Sequence, residues 1–296
     1  MAGLTLAAPA KLNLRLLVGP RRPDGYHEVR TLMVALEGLA DRVTVAPADA
    51  RAVRCPGLDG PANLAWRALD ALERAVGLRL DCAVTIDKRI PAGAGLGGGS
   101  SDAAATLVAA NRLLGLGLGG ADLEAVAAQV GSDVPFFVRG GARWAGGRGE
   151  RLAPEDAPAP GFAALLAMPP EGLSTPAVYA AFDRMAPPPP GDGRCAPEAM
   201  PALAAWARND LWPAALALRP GLGALARALR AGGARAALLC GSGSALAGLV
   251  EDRDAAERVR DRLPPGAAAW TAVVTSPRRS ASLATGPAPP KGWDGP

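Results

Sequence analysis

The chain is poor in the residues from which many catalytic and binding sites are assembled. Among its 296 residues there is one histidine, His27, and there are two tyrosines, Tyr26 and Tyr179. Only Lys11, Lys88 and Lys291 are lysines, so the basic side chains are almost all arginine. The four cysteines (Cys55, Cys82, Cys195 and Cys240) show no paired spacing, and with a single histidine they leave no believable zinc site. That pattern predicts reduced thiols and a cytoplasmic protein. Aromatic residues make up 4% of the chain and the net charge is +4. Neither supplies the stacking surface or the basic patch that nucleic-acid binding asks for. No uncharged run reaches the roughly 18 residues of a membrane span. The N-terminus has neither the basic start nor the apolar segment of a secretory leader. The expectation is a globular protein without a membrane or nucleic-acid partner, long enough for one large or two ordinary domains.

What the chain does have is glycine, concentrated in the stretch Pro91-Ala92-Gly93-Ala94-Gly95-Leu96-Gly97-Gly98-Gly99-Ser100-Ser101. In front lies a short strand, Cys82 to Ile86. Behind lies a helix from Asp102, with Ser100 or Ser101 as its expected cap and Gly115 as its stop. A bare loop feeding a helix N-terminus offers backbone N–H groups at the positive end of a dipole, which suits phosphate. A flexible linker is the bland alternative. A Walker A loop is excluded because Gly99, not lysine, precedes the final serines. Gly93-x-Gly95-x-x-Gly98 satisfies a dinucleotide fingerprint, but Asp87 to Pro91 separates strand from glycines and no acid follows at the required distance.

Elsewhere, period-two alternation over Leu4 to Val18 places Lys11 and Asn13 on one strand face with leucines opposite. Arg22-Pro23-Asp24-Gly25 reads as a turn leading into Tyr26, His27 and Glu28. Strands are expected at 29–36 and 41–45, a helix at 63–76, and a helix at 123–130 capped by Asp122. Asp133 then precedes an apolar strand interrupted by Pro135. By pattern Asp133 is a turn former, with a general base at the mouth of a site as the alternative. A hairpin covers 140–150, and the Ala-Pro-rich stretch 153–160 marks a domain boundary. Beyond it, strands at 162–168, 234–240, 245–250 and 268–275 and helices at 176–184, 198–207, 222–231 and 254–263 follow the ferredoxin-like β-α-β-β-α-β order. Pro187 to Pro190 reads as a rigid surface loop. Gly241-Ser242-Gly243-Ser244 is a second bare loop, either a tight hairpin and nothing more or a place where backbone approaches a nucleotide in a cleft between domains, and 277–296 reads as a loose tail.

The string Pro91 to Ser101 resembles the ATP-binding loop of the GHMP kinases (galactose, homoserine, mevalonate and phosphomevalonate kinases and relatives). Pro9-Ala-Lys11-Leu-Asn13, Asp24-Gly-Tyr26-His27-Glu28, Gly131-Ser-Asp133-Val-Pro and Leu239-Cys-Gly-Ser-Gly-Ser244 extend the resemblance over about residues 5–275. The Asp-Gly-Tyr-His-Glu block is similar to the branch whose acceptor is 4-diphosphocytidyl-2-C-methyl-D-erythritol. The resemblance implies an α+β fold of two domains: a ribosomal-protein-S5-like N-terminal one over 1–153 and a ferredoxin-like one over 161–276. It implies transfer of the γ-phosphate of ATP, with Mg²⁺, to the 2-hydroxyl of that acceptor in non-mevalonate isoprenoid synthesis. Lys11 and Asp133 would then be catalytic. Pro91 to Ser101 and Asn63 would hold ATP, and Ser100 or Ser101 the metal. Asn13, Tyr26, His27 and Tyr179 would line the cytidine side. The implied partners are small molecules, with the chain a monomer or weak homodimer. A homoserine- or mevalonate-type GHMP kinase and a dinucleotide-dependent oxidoreductase are the alternatives.

Overall fold

A computed structural model describes residues 3–153, 157, 161–188, 196–200, 202–277 and 283. Their elements run β1 (Leu4–Arg21), β2 (His27–Pro47), β3 (Ala52–Arg54), α1 (Leu64–Val76), β4 (Cys82–Asp87), α2 (Gly98–Leu113), α3 (Gly120–Val130), α4 (Val134–Arg139), β5 (Ala142–Gly146) and β6 (Arg151–Leu152). Then come β7 (Ala163–Met168), α5 (Thr175–Phe182), α6 (Ala202–Trp206), β8 (Arg208–Asn209), α7 (Trp212–Leu218), α8 (Gly221–Gly232), β9 (Ala236–Leu239), β10 (Leu246–Val250), α9 (Arg253–Asp261) and β11 (Trp270–Thr275). Among the described residues no helix is long and apolar enough to cross a membrane, and Cys55, Cys82 and Cys240 are buried free thiols.

The expected strands at 29–36 and 41–45 are one strand. β2 runs through both, and its pairing with β1 jumps from Lys11↔Ala35 to Pro9↔Ala40. In the gap Gly38 takes φ +93° and Glu37 pairs with Thr275 of β11. A glycine with positive φ lets the strand bend toward a new neighbour without ending. Through that contact the main sheet is continuous in the order β3-β4-β2-β11-β7-β10-β9. The portion β11-β7-β10-β9 is antiparallel throughout, with the expected β-α-β-β-α-β chain order.

Three buried clusters form among the described residues. One lies between the first-half sheet and α1–α4, including Leu69, Leu72, Leu107 and Phe136. Another packs α5, α7, α8 and α9 on the second-half strands. Between them lies a shared cluster that joins Leu12, Leu14, Leu32 and Val34 to Leu166, Ala247, Leu249 and Val274.

Several local expectations are corrected. Neither Ser100 nor Ser101 caps α2; the helix starts at Gly98 from Gly97 at φ +75°, a turn that a glycine makes at no steric cost. Asp122 lies in the third position of α3 and accepts from the Gly119 amide at 3.2 Å, so it serves the helix from inside. After Asp133 the chain forms α4 rather than a strand. Pro135 sits in its first turn, where a missing N–H and a fixed φ do no harm. The helix expected over 198–207 is confined to α6, and α7 and β8 were not foreseen. Residues 154–156 and 158–160 of the expected boundary, Pro189 and Pro190, Cys195 and most of the tail lie outside the described residues. From the tail, Leu283 packs on the first cluster and its carbonyl accepts from Arg112 Nη2.

Candidate active site

β1 carries the first part of the site. Alternation turns Lys11 and Asn13 to one face, where Lys11 is buried to 3% exposure. Lys11 Nζ donates to Asn13 Oδ1 at 2.5 Å, Asn13 Nδ2 to Thr31 Oγ1 at 2.8 Å, and Thr31 Oγ1 to the Arg15 carbonyl at 2.8 Å. This chain of bonds holds an ammonium that has little rotational freedom left. Asp133, brought in by the turn between α3 and α4, places Oδ2 3.6 Å from Lys11 Nζ with about a third of its side chain exposed. One buried cation therefore faces one accessible carboxylate.

The glycine loop closes over the same lysine. The Lys11 amide donates to the Leu96 carbonyl at 3.0 Å. On the other side, Ser244 N and Ala245 N donate to the carbonyls of Gly93 and Ala94, both at 3.2 Å. The two bare loops of the sequence thus meet. A Cβ on Gly95 would lie 1.8 Å from the Cys240 carbonyl oxygen, so no side chain is compatible with that approach. Gly97 admits the start of α2 against the Phe137 ring and the Lys11 stem. The first amides of a helix have no intrahelical acceptor, and here they follow directly on the glycines. Ser100 lines the cleft, whereas Ser101 is fully buried and its hydroxyl has no partner among the described residues.

Behind the loop Lys88 Nζ bridges Asp41 Oδ2 at 2.5 Å and Asp102 Oδ2 at 2.8 Å. Asp41 Oδ1 also accepts the amides of Arg89 and Ile90 at 2.5 and 2.8 Å. Burial pushes the Asp102 carboxyl up to about 7 against the opposing pull of Lys88. The same burial lowers Lys88, but its two carboxylates outweigh that and its ammonium ends above its ordinary range.

The far end of the cleft is aromatic. His27, buried at the start of β2, stacks on Tyr179 with centroids 5.2 Å apart and planes at 25°. The edge of Phe182 meets it at 5.8 Å and 89°. His27 Nε2 lies 2.7 Å from Asp183 Oδ1. Burial, with a contribution from the Asp133 charge, raises the Tyr179 hydroxyl to about 12, so it stays protonated. Tyr26 is exposed, with the Arg148 guanidinium 5.0 Å from its ring centroid.

One cleft of about 720 Å³ brings together Lys11, Asn13, Tyr26, His27, Gly95, Gly97, Ser100, Asp133 and Tyr179. Pro91, Ala92, Gly93, Ala94, Leu96, Gly98, Gly99 and Ser101 are not among its lining residues, and neither is Asn63. Asn63 caps α1, accepting from the Ala65 amide at 2.9 Å and donating to the Leu58 carbonyl at 2.9 Å. Ala94 and Leu96 turn into the shared cluster. The cleft also contains Arg21, Thr31, Arg148 and Asp183, which sequence reasoning did not single out. Asp183 had a signal, since it stands four residues after Tyr179 on one helix face. Arg148 had none beyond its place in a glycine-rich hairpin.

Comparison with known proteins bears on the family and the fold. Residues 63–141 match the family model of the GHMP kinases N terminal domain and 196–266 that of the GHMP kinases C terminal. A 4-diphosphocytidyl-2-C-methyl-D-erythritol kinase of Rhodococcus jostii is 42% identical, with 92% of each chain covered. One of Pelotomaculum thermopropionicum is 40% identical over 88% of this chain and 93% of its own. A crystal structure of 4-(cytidine 5'-diphospho)-2C-methyl-D-erythritol kinase superposes with a TM-score of 0.76 at 40% identity, covering 93% of this chain and all of the other. A homoserine kinase from Cytophaga hutchinsonii shares the fold at a TM-score of 0.71 and 18% identity, covering 94% and 95%. The dinucleotide-binding alternative falls away, and the expected α+β GHMP fold is the one found. The chain belongs to the GHMP kinases and, within them, to the 4-diphosphocytidyl-2-C-methyl-D-erythritol kinase family.

Proposed function

We propose that the cleft transfers the γ-phosphate of ATP to the 2-hydroxyl of 4-diphosphocytidyl-2-C-methyl-D-erythritol, a step of non-mevalonate isoprenoid synthesis. The observation that carries this is the Lys11–Asp133 pair at 3.6 Å, between the glycine loop with the start of α2 on one side and the His27–Tyr179 stack on the other. Phosphoryl transfer asks a protein to align two substrates and offset charge on the equatorial oxygens. In this reading the loop and helix amides hold the triphosphate. Lys11, fixed by Asn13 and Thr31, orients the acceptor hydroxyl and meets developing negative charge. Asp133, accessible from the cleft, accepts the hydroxyl proton. Tyr26, His27 and Tyr179 take the cytosine end.

Mg²⁺ would supply further charge neutralisation on the phosphates. It is commonly held by few protein oxygens together with phosphate and water, and Ser100, which lines the cleft, fits that role better than the sealed Ser101. Asn63 at the head of α1 remains the proposed neighbour of the adenosine. The proposed organisation is an N-terminal lobe to about residue 153 and a second lobe over 161–276.

The test is coupled ADP release with the cytidyl acceptor against homoserine and mevalonate. Turnover confined to the cytidyl compound is expected; preference for either other alcohol would overturn the assignment. Asp133→Asn and Lys11→Ala should each lose at least about 10² in kcat while still binding ATP. His27→Ala should raise the KM for the acceptor and leave that for ATP nearly unchanged. An equal change in both would remove His27 from base recognition.

A further inference from the structure

A single turn of α5 and its exit supplies three neighbours to the histidine ring. Tyr179 covers one face, Phe182 meets it edge-on, and Asp183 places an oxygen 2.7 Å from Nε2. His27 comes from the start of β2, so this hydrogen bond joins positions 156 apart in the chain. A carboxylate only accepts hydrogen bonds, so the bond requires the proton on Nε2. Nδ1 takes no partner among the described residues, and the ring lines the cleft. Which nitrogen of an imidazole carries its proton is set by the bond the other makes.

We propose that Asp183 is a positioning residue that locks His27 as the Nε2–H tautomer, so that Nδ1 presents a lone pair to the base of the acceptor. A lone pair there accepts from the exocyclic amine of cytosine. It repels the carbonyl oxygen that uracil would put in the same place. The lock selects an amino-bearing pyrimidine without Asp183 touching it. This rests on the cytidyl reading above.

The histidine is the only one in the chain, so its imidazole nitrogens give the sole such signals in a long-range ¹H–¹⁵N spectrum of the untagged, full-length protein. At about pH 8 the neutral Nε2–H pattern is expected. Asp183→Ala should shift it toward a tautomer mixture, and Asp183→Asn, which keeps an acceptor oxygen, should restore it. In kinetics, Asp183→Ala should raise the KM for the cytidyl acceptor about tenfold, the loss of roughly one hydrogen bond. It should also narrow preference over the uridyl analogue by a similar factor, with kcat and the ATP KM within about twofold. An imidazolium or Nδ1–H pattern in the native protein overturns the proposal, as does an Asp183→Ala spectrum and acceptor KM like the native ones. If the cytidyl compound is no substrate at all, the functional reading fails on turnover while the ring signals still decide whether Asp183 sets the tautomer.

Discussion

Two carboxylates and one ammonium share the space behind the glycine loop, and their hydrogen bonds differ. Asp41 receives two backbone amides as well as Lys88. Asp102 receives Lys88, lies against the Asp41 carboxyl, and has an Oδ1 that is buried without a partner among the described residues. The less supported carboxyl is the one that burial moves, from 3.8 up to about 7. The sign follows directly: a raised acid pKa means the folded chain keeps a proton that the unfolded chain releases near 3.8. The stability tied to that proton is fully present below about 3.8, declines as pH rises, and is gone above about 7. Asp102→Asn cannot ionise, so its stability relative to the native chain should improve steadily between about pH 4 and 7 in urea titrations. A constant difference over that range would show that Asp102 titrates normally. In the sequence Asp102 reads as a helix-start residue and Lys88 as a border of the loop. Nothing in their spacing points to Asp41, 47 residues before Lys88.

At the scale of an element, the glycine loop shows why equal residues are not equally needed. Gly93 and Gly95 both have positive φ, +69° and +77°. A Cβ on Gly93 meets nothing within 4 Å, while one on Gly95 runs into the Cys240 carbonyl. Gly93→Ala should therefore cost only the left-handed strain, about 1–2 kcal/mol. Gly95→Ala must also push the two bare loops apart and should cost more, seen as a lower thermal midpoint together with weaker ATP binding. Equal losses would mean that the loops do not rely on that contact. The loop and the helix that follows it were legible from composition, but the partner carbonyl, contributed from residue 240, was not. The same limit explains the errors elsewhere. Pro135 in an apolar run suggested an interrupted strand because local pattern cannot distinguish the five buried residues of this short helix from a strand. Glu37 to Ala40 suggested a break because the β11 edge that β2 bends to meet lies more than 230 residues later. Long periodic pieces such as α1 and α8 were readable because their own apolar faces specify them, and α2, buried without a break from Ser101 to Ala110, was readable from its run of helix-forming residues.

At the scale of the molecule, the cleft is built where the two halves share a core rather than where they merely touch. Leu12 and Val34 from the first half and Leu166, Ala247 and Val274 from the second belong to one buried cluster. Trp144 and Trp206 meet edge to face across it at 6.1 Å, and the Arg15 guanidinium lies 4.7 Å from the centre of the Trp206 ring. Lys11 on β1 and the loop at Gly241, from opposite halves, are held in register by that packing, which a loose hinge would not achieve. The halves should therefore unfold together. Guanidinium titration followed by tryptophan fluorescence and by far-ultraviolet circular dichroism should give coincident transitions. Leu107→Ala in the first cluster and Leu166→Ala in the shared one should each cost about 2–5 kcal/mol. Each should move the single midpoint reported by both probes. If ATP is held by the first-half loop as proposed above, it should raise the same midpoint through mass action. A biphasic curve, or a Leu107→Ala defect that leaves a second transition in place, would mean that the shared cluster does not couple the halves. In that case the positions of Lys11 and Asp133 would have to be fixed within the first half alone.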